Sequence, residues 1–197
     1  PTGPTGTVIN VQAGPGALET ALSQALSAAQ VAPVTVVLGA GDYVGNFVFP
    51  RSLSAYPITF TADPATLPAD GTRMDASYEG RLPRLVPSYL GSATVTVQGD
   101  GYTFRGLQVV APNVGVTSID LDATMNPRPS NITFNQMLIR GTQGAGGHRG
   151  VGMNGINVTV TNSWIDRMWE SGRDAQAVAA WDTPGPLRIE NNYLQAS

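Results

Sequence analysis

No cysteine occurs in the chain, which excludes disulfides and thiolate metal sites. Lysine is absent too: the eleven basic residues are all arginine, set against fourteen acidic ones, for a net charge of −3 and a pI near 5.0. With no cluster of basic charge, the chain cannot displace counterions from a phosphate backbone, nor dock on an anionic membrane. No run of about eighteen apolar residues is present, so no segment reads as a membrane-spanning helix. The opening PTGPTGTVINV lacks a charged region followed by an apolar one, so a signal peptide is expected to be absent or already removed. There is one histidine, His148. No G-x-S-x-G or Walker pattern occurs, and the glycine-rich GTQGAGGHRG at 141–150 lacks the strand-to-helix setting of a dinucleotide fingerprint, so it reads as a loop.

What is abundant is turn chemistry. The chain has 23 glycines and 15 prolines, without the strict triplet period of collagen. Residues 1–7 read as a linker; the two Pro-Thr-Gly triplets allow the end of a collagen-like stalk as the other reading. Residues 17–30 give the one good helix, with Leu18, Leu22, Leu26 and Ala29 on a single stripe. From residue 34 onward, short β-branched and aromatic runs alternate with Gly, Pro, Asn and Asp.

These runs repeat. Phe104, Phe134, Val160 and Ile189 head segments that align without gaps, at spacings of 30, 26 and 29 residues. Two residues after each anchor stand Gly106, Gln136, Asn162 and Asn191, and five after stand Val109, Ile139, Ile165 and Leu194. A second strand recurs between anchors, at Ile119–Asp122, Val151–Asn154 and Val178–Asp182. A unit this short cannot bury its apolar face alone, but coils stacked about 4.8 Å apart can. The expected architecture is all-β: a parallel β-helix over 8–197, with the helix as an N-terminal cap and a long loop insertion at 64–92, within which LPRLVP can still form a strand. Gln136, Asn162 and Asn191 are expected to bond along the stack as an amide ladder. The sequons at Asn131 and Asn157 read as strand starts.

VTVVLGAGDYVGNFVFP (34–50) with YPITFTAD (56–63), together with NITFNQMLIRG, RGVGMNGINVTVTNSWID and AVAAWDTPGPLRIENNYLQA, resembles the pectate-lyase-like right-handed parallel β-helix proteins secreted by bacteria. The resemblance covers about residues 8–197, apart from 64–92. It implies a right-handed solenoid outside the cell or on its surface, and it specifies activity poorly, since such folds host lyases, hydrolases, adhesins and spikes. No capping element follows Tyr193–Ser197, so further polypeptide, a partner or self-association is expected at that end.

The acidic residues carry the candidate chemistry. Asp120 and Asp122 alternate on one strand face, and Asn154 and Asp182 align with them along the stack, with Asp174 entering the neighbouring strand. Such a column offers oxygens to Ca²⁺, which takes roughly six to eight. In pectate lyases Ca²⁺ bridges the substrate carboxylate and an arginine removes the adjacent proton; by that resemblance Arg149, Arg167 and Arg173 are the candidate bases. Trp169, Trp181 and His148 are candidate sugar contacts, while Trp164 reads as stacked within the coils. A hydrolase would need paired carboxylates, and Asp120 with Asp122 meets the distance only as any such pair does. Two functions remain open: a polysaccharide-binding or polysaccharide-cleaving protein, whose mark is an acidic residue, an arginine and an exposed tryptophan together; and a structural or adhesive β-helix, whose stacking is its function.

Overall fold

The computed structural model describes residues 5–51, 56–112, 115–142 and 146–197. Most of the Pro-Thr-Gly repeat, and residues 143–145 of the glycine-rich stretch, lie outside them. The chain opens with β1 (Thr7–Val11) and α1 (Ala17–Ala28), and then winds through coils of three strands. The first coil is β2 (Val34–Leu38), β3 (Gly41–Val44) and β4 (Phe47–Phe49), and the second is β5 (Ile58–Ala62), β6 (Pro83–Val86) and β7 (Val95–Val97). Next come β8 (Tyr102–Arg105), β9 (Gln108–Val110) and β10 (Thr117–Leu121), then β11 (Ser130–Asn135), β12 (Leu138–Arg140) and β13 (Arg149–Gly152). The last turns are β14 (Ile156–Thr161), β15 (Trp164–Met168), β16 (Gln176–Ala179), β17 (Leu187–Glu190) and β18 (Tyr193–Ala196).

Every strand pairs in parallel with its copy in the next coil, giving three sheets. Sheet I holds seven strands (β1, β2, β5, β8, β11, β14, β17), sheet II holds six (β3, β6, β9, β12, β15, β18) and sheet III holds five (β4, β7, β10, β13, β16). The expected anchors do stack: Phe104 is in register with Phe134, Phe134 with Val160, and Val160 with Ile189. The column runs deeper than the repeat showed, through Phe60 and Val36 to Ile9. Its aromatic segment is stacked ring on ring, with centroids 6.0 Å apart from Phe60 to Phe104 and 5.2 Å from Phe104 to Phe134, and Phe49 of sheet III meets Phe60 and Phe104 edge-on. The inward columns of all three sheets merge into one core.

Helix α1 lays Leu18, Ala21, Leu22 and Ala25 on that core beside β1 and β2, as its periodicity requires. It ends at Ala28, with Gly16 as its N-cap in the left-handed region. Thr7, placed in the linker by sequence, instead opens β1.

Within the 64–92 stretch, the LPRLVP segment forms a strand and the rest is irregular. Residues 63–82 separate β5 from β6, with short 3₁₀ turns at Pro64–Thr66 and Ala76–Tyr78, and Pro83–Val86 is a regular strand of sheet II. Met74 and Leu82 bury against Ala62 and Leu138, forming a small second core on the outside of the coils.

The amide ladder needs a correction. Asn191 Nδ2 donates to Asn162 Oδ1 and Asn162 Nδ2 to Asn135 Oδ1, both at 2.8 Å. Gln136 leaves the ladder: its Nε2 donates to the carbonyls of Pro68, Ala69 and Thr72, which holds the insertion against the coils. The offset shared by Gly106, Gln136, Asn162 and Asn191 marks a backbone state, because all four have φ between 50° and 66° where the chain turns from sheet I to sheet II. A second ladder, Asn157 Nδ2 to Asn131 Oδ1 at 2.7 Å, joins the two sequon asparagines, which likewise have positive φ.

Two outcomes follow. Phe104→Ala opens a cavity in the middle of the aromatic column and costs about 3–5 kcal/mol in urea unfolding, while Val48→Ala, on an exposed outer position of sheet III, changes stability by about 0.5 kcal/mol or less. Gln136→Ala releases three carbonyl contacts, so limited proteolysis should cleave within 66–75 faster than in the parent, with the circular dichroism of the coils unchanged.

Candidate functional site

The sequence candidates fall into two groups, both beside sheet III. The first lies on the sheet's outer face. Asp120 on β10 is in register with Gly152 on β13, and Gly152 with Ala179 on β16. Trp181 stands two residues beyond β16, and its indole reaches over Gly152. A Cβ at residue 152 would stand 3.0 Å from Trp181 Cη2 and 3.1 Å from Asp120 Oδ1, so the missing side chain is what lets indole and carboxylate approach. Arg149, at the start of β13, sets its guanidinium carbon 4.9 Å from the centre of the Trp181 ring, in cation–π range. Its Nε donates to Gln176 Oε1 at 2.8 Å. Among the described residues Arg149 forms no ion pair with a carboxylate. Trp181 remains 54% exposed.

The remaining metal candidates support this trio instead of forming a cage. Asn154, fully buried, accepts the backbone N–H groups of Trp181 and Asp182 at 3.2 and 3.3 Å and so fixes the base of the indole. Asp182 is ion-paired to Arg128 at 2.6 Å. Asp174 accepts Gln176 Nε2 at 2.7 Å, behind the bond from Arg149. Asp122 accepts the backbone N–H and hydroxyl of Thr124 at 3.0 and 2.6 Å, and Gln98 Nε2 at 3.1 Å. These oxygens are already engaged by protein donors. Among the described residues no three His, Asp or Glu side chains gather where a metal could be held, so the set does not fit Ca²⁺.

Asp120 is different. Its Oδ1 is buried and has no hydrogen-bond partner. Burial, and secondarily the negative charge of Asp122, push its pKa up to about 6, with Arg149 acting in the opposite direction. Asp122 sits below the usual carboxylate range because of its bonds to Thr124 and Gln98. The two acidic residues therefore titrate apart: Asp122 stays ionised to lower pH, while Asp120 exchanges its proton around pH 6 and is mostly ionised at pH 7. With both Asp122 oxygens taken, the pair does not supply a second free carboxylate for a hydrolase.

The second group lies in the turns between sheets II and III. His148 is buried, with Nδ1 2.6 Å from Glu170 Oε2 but out of line for a hydrogen bond. Arg173 Nε lies 3.3 Å from Glu170 Oε1, and the Gly115 N–H donates to Oε2 at 2.9 Å. Glu170 thus gathers the turn together, with His148 buried against it. Trp169 is 45% exposed nearby. Arg167 is exposed and takes φ of 59° at the irregularity in β15. Asp120, Arg149 and Trp181 are brought together; His148 and Arg173 join a separate cluster, and among the described residues no hydrogen bond, ion pair or ring contact joins Arg167 or Trp169 to the trio. Trp164 is stacked, as expected, with its ring 3.8 Å from that of Tyr193.

Sequence reasoning missed a third assembly. Arg140 and Asp166, both 7% exposed, form a two-pronged pair at 2.8 and 2.7 Å, joined by Glu79 of the insertion and by Trp164 Nε1 at 2.7 Å. The signal was available: both residues stand six after their anchors, and they are in register.

No family model matches the chain, and no curated protein matches it. Among solved structures it is similar to a PL6-family alginate lyase, AlyGC, with a TM-score of 0.51 and 15% identity over 97% of this chain and 29% of that one. It also aligns with the pectin methylesterase from Aspergillus niger in deglycosylated form, with a TM-score of 0.42 and 12% identity over 98% of this chain and 86% of that one. The fold is that of the pectate-lyase-like right-handed parallel β-helices. This β-helix spans about three tenths of the alginate lyase's length. Its right-handed sense is also the rule for parallel strands joined by crossovers.

The raised pKa of Asp120 has a consequence for stability. Because its folded value, about 6, lies above the unfolded value near 4, the folded state holds the extra proton between those limits, so Asp120 lowers stability as pH rises through that window. Asp120→Asn should therefore raise the Tm at pH 7 by a few degrees and leave it nearly unchanged at pH 4, as read by thermal melts across pH.

Proposed function

We propose that this β-helix is an extracellular or cell-surface protein that binds an acidic polysaccharide, a polyuronate, across the outer face of sheet III. The observation that carries this reading is the convergence of Asp120, Arg149 and Trp181 over Gly152. An arginine without a carboxylate partner recognises the uronate carboxylate, and its planar fork suits two-pronged pairing. The exposed indole offers a flat apolar surface to a pyranose ring, and its contact with Arg149 holds both groups in place. Asp120 then meets the sugar as the proton-exchanging group, since a carboxyl with a pKa near 6 is deprotonated often enough at neutral pH to act as a base. In a β-elimination, Asp120 takes the proton next to the uronate carboxylate, a carbon–carbon double bond forms, and the bond to the glycosidic oxygen breaks. The departing oxygen takes up a proton from water, and Asp120 returns its own to solvent.

The alginate lyase in the comparison acts on a polyuronate, and the shared fold supports the reading at the level of architecture. No helix among the described residues is long and apolar enough to cross a membrane.

Titration calorimetry against alginate and polygalacturonate oligomers, with absorbance of unsaturated products followed in parallel, tests the proposal. Arg149→Gln and Trp181→Ala should each weaken binding about tenfold or more, and Asp120→Asn should retain binding but form no product. Chelation with EDTA should leave binding unchanged, since protein donors engage the neighbouring carboxylates. Absence of binding to any polyuronate overturns the whole reading, and binding without product removes only the proton-transfer role of Asp120.

A further inference from the structure

We propose that a groove on the outer face of sheet I is a second saccharide-binding tract, for a neutral polysaccharide chain laid along the axis of the stack. The groove has a volume of about 500 Å³, and its floor is formed by β11, β14 and β17. Thr133, Thr159, Asn135, Thr161, Arg188 and Glu190 line it, and Gly71 of the insertion stands at its side.

The floor is one stretch of a longer regular column. Thr35, Thr59, Thr103, Thr133 and Thr159 stand in register in five successive coils, with Arg188 next in line. Threonine on the outside of a strand is explained in part by β-propensity. The groove is explained by what stands beside the column. Gln136 binds three carbonyls of the insertion, and Asn191 Nδ2 donates to the Gly71 carbonyl at 3.1 Å, so the 66–75 segment is fixed as a wall instead of lying over the strands. The result is a trench open along the stack.

The chemistry of the trench selects a ligand. Among the described residues the Thr133 and Thr159 hydroxyls meet no protein partner. Each can donate and accept, and branching at Cβ restricts the side chain to few rotamers, so little freedom is lost on binding. Coils about 4.8 Å apart repeat these hydroxyls at a spacing comparable to that of the hydroxyls along an extended glycan. The only charges among the lining residues are Arg188 and Glu190, paired with each other at 2.5 Å, so the trench is balanced. It offers no free cation to a uronate, which is the reverse of the Arg149 site on sheet III. A polymer rich in hydroxyls and without carboxylates fits it.

The inference is independent of the sheet III reading, and the experiment keeps the two apart. Neutral hexo-oligosaccharides and uronate oligomers are each titrated by NMR into the wild-type chain, the Thr133→Val/Thr159→Val variant and Trp181→Ala. Valine keeps the shape and branching of threonine, so the unfolding midpoint should hold. The expected result is binding of neutral oligosaccharide by the wild type, weakened about tenfold or more by the double valine variant and unchanged by Trp181→Ala. Arg188→Gln, at an exposed position, serves as the second variant should the valines disturb the strands, and should also weaken neutral binding. No binding of any neutral oligosaccharide, equal binding by the valine and Arg188 variants, or loss of neutral binding in Trp181→Ala each overturns the proposal.

Discussion

Each strand of the three sheets takes its hydrogen bonds from the coils next to it, so a residue's neighbours are set by a count of one coil and not by proximity in sequence. Parallel in-register stacking is therefore the constraint on which everything else in this β-helix depends. It places Phe104 on Phe134 and closes the core, and it places Asn162 on Asn135 at the turn. It also sets Arg140 opposite Asp166, so that a charge buried in one coil is met by its opposite in the next. A buried pair of this kind adds little net stability on its own, because desolvation offsets the attraction. Its effect here is positional: through Glu79 and Trp164 it ties the insertion to sheet II.

The same constraint explains what could be read from the sequence. From Phe104 onward the coils have nearly constant length, and the repeat is visible as a spacing. Upstream, residues 63–82 stretch one coil, so that Phe60 stands 44 residues before Phe104 and the column through Phe60, Val36 and Ile9 escapes any search for a fixed period. The turn position was found for a reason other than its meaning. Gly106, Gln136, Asn162 and Asn191 share an offset because the backbone there is left-handed, a state that glycine and asparagine tolerate best, while the ladder itself begins one residue earlier, at Asn135.

The site was legible in its residue types and not in its geometry. Asp120, Arg149 and Trp181 were each candidates, but their meeting depends on Gly152, which draws no attention in a sequence because it is the absence of a side chain that matters. Asn154, Asp174 and Asp182 looked equivalent to Asp120 because the repeat aligns their segments, whereas the column of Asp120 continues as Gly152 and Ala179. Whether an oxygen is free is decided by donors elsewhere, such as the backbone N–H of Trp181, Gln176 and Arg128, and no spacing rule reports those.

Two outer faces of one scaffold thus carry different chemistry. Sheet I repeats the same hydroxyl coil after coil, as a structure built by repetition does most readily. Sheet III breaks its repeat: a glycine stands where neighbouring coils carry aspartate and alanine, a tryptophan reaches over it, and a carboxyl oxygen is left buried without a donor. Leaving such an oxygen unpaired lowers the stability of the fold, and nothing in the stacking of the coils requires it. Departures from the local rule that bring a cost and no packing gain concentrate at functional sites. That departure is the ground for proposing the outer face of sheet III, rather than the ion-paired clusters around Arg140 and Glu170, as the saccharide-binding face.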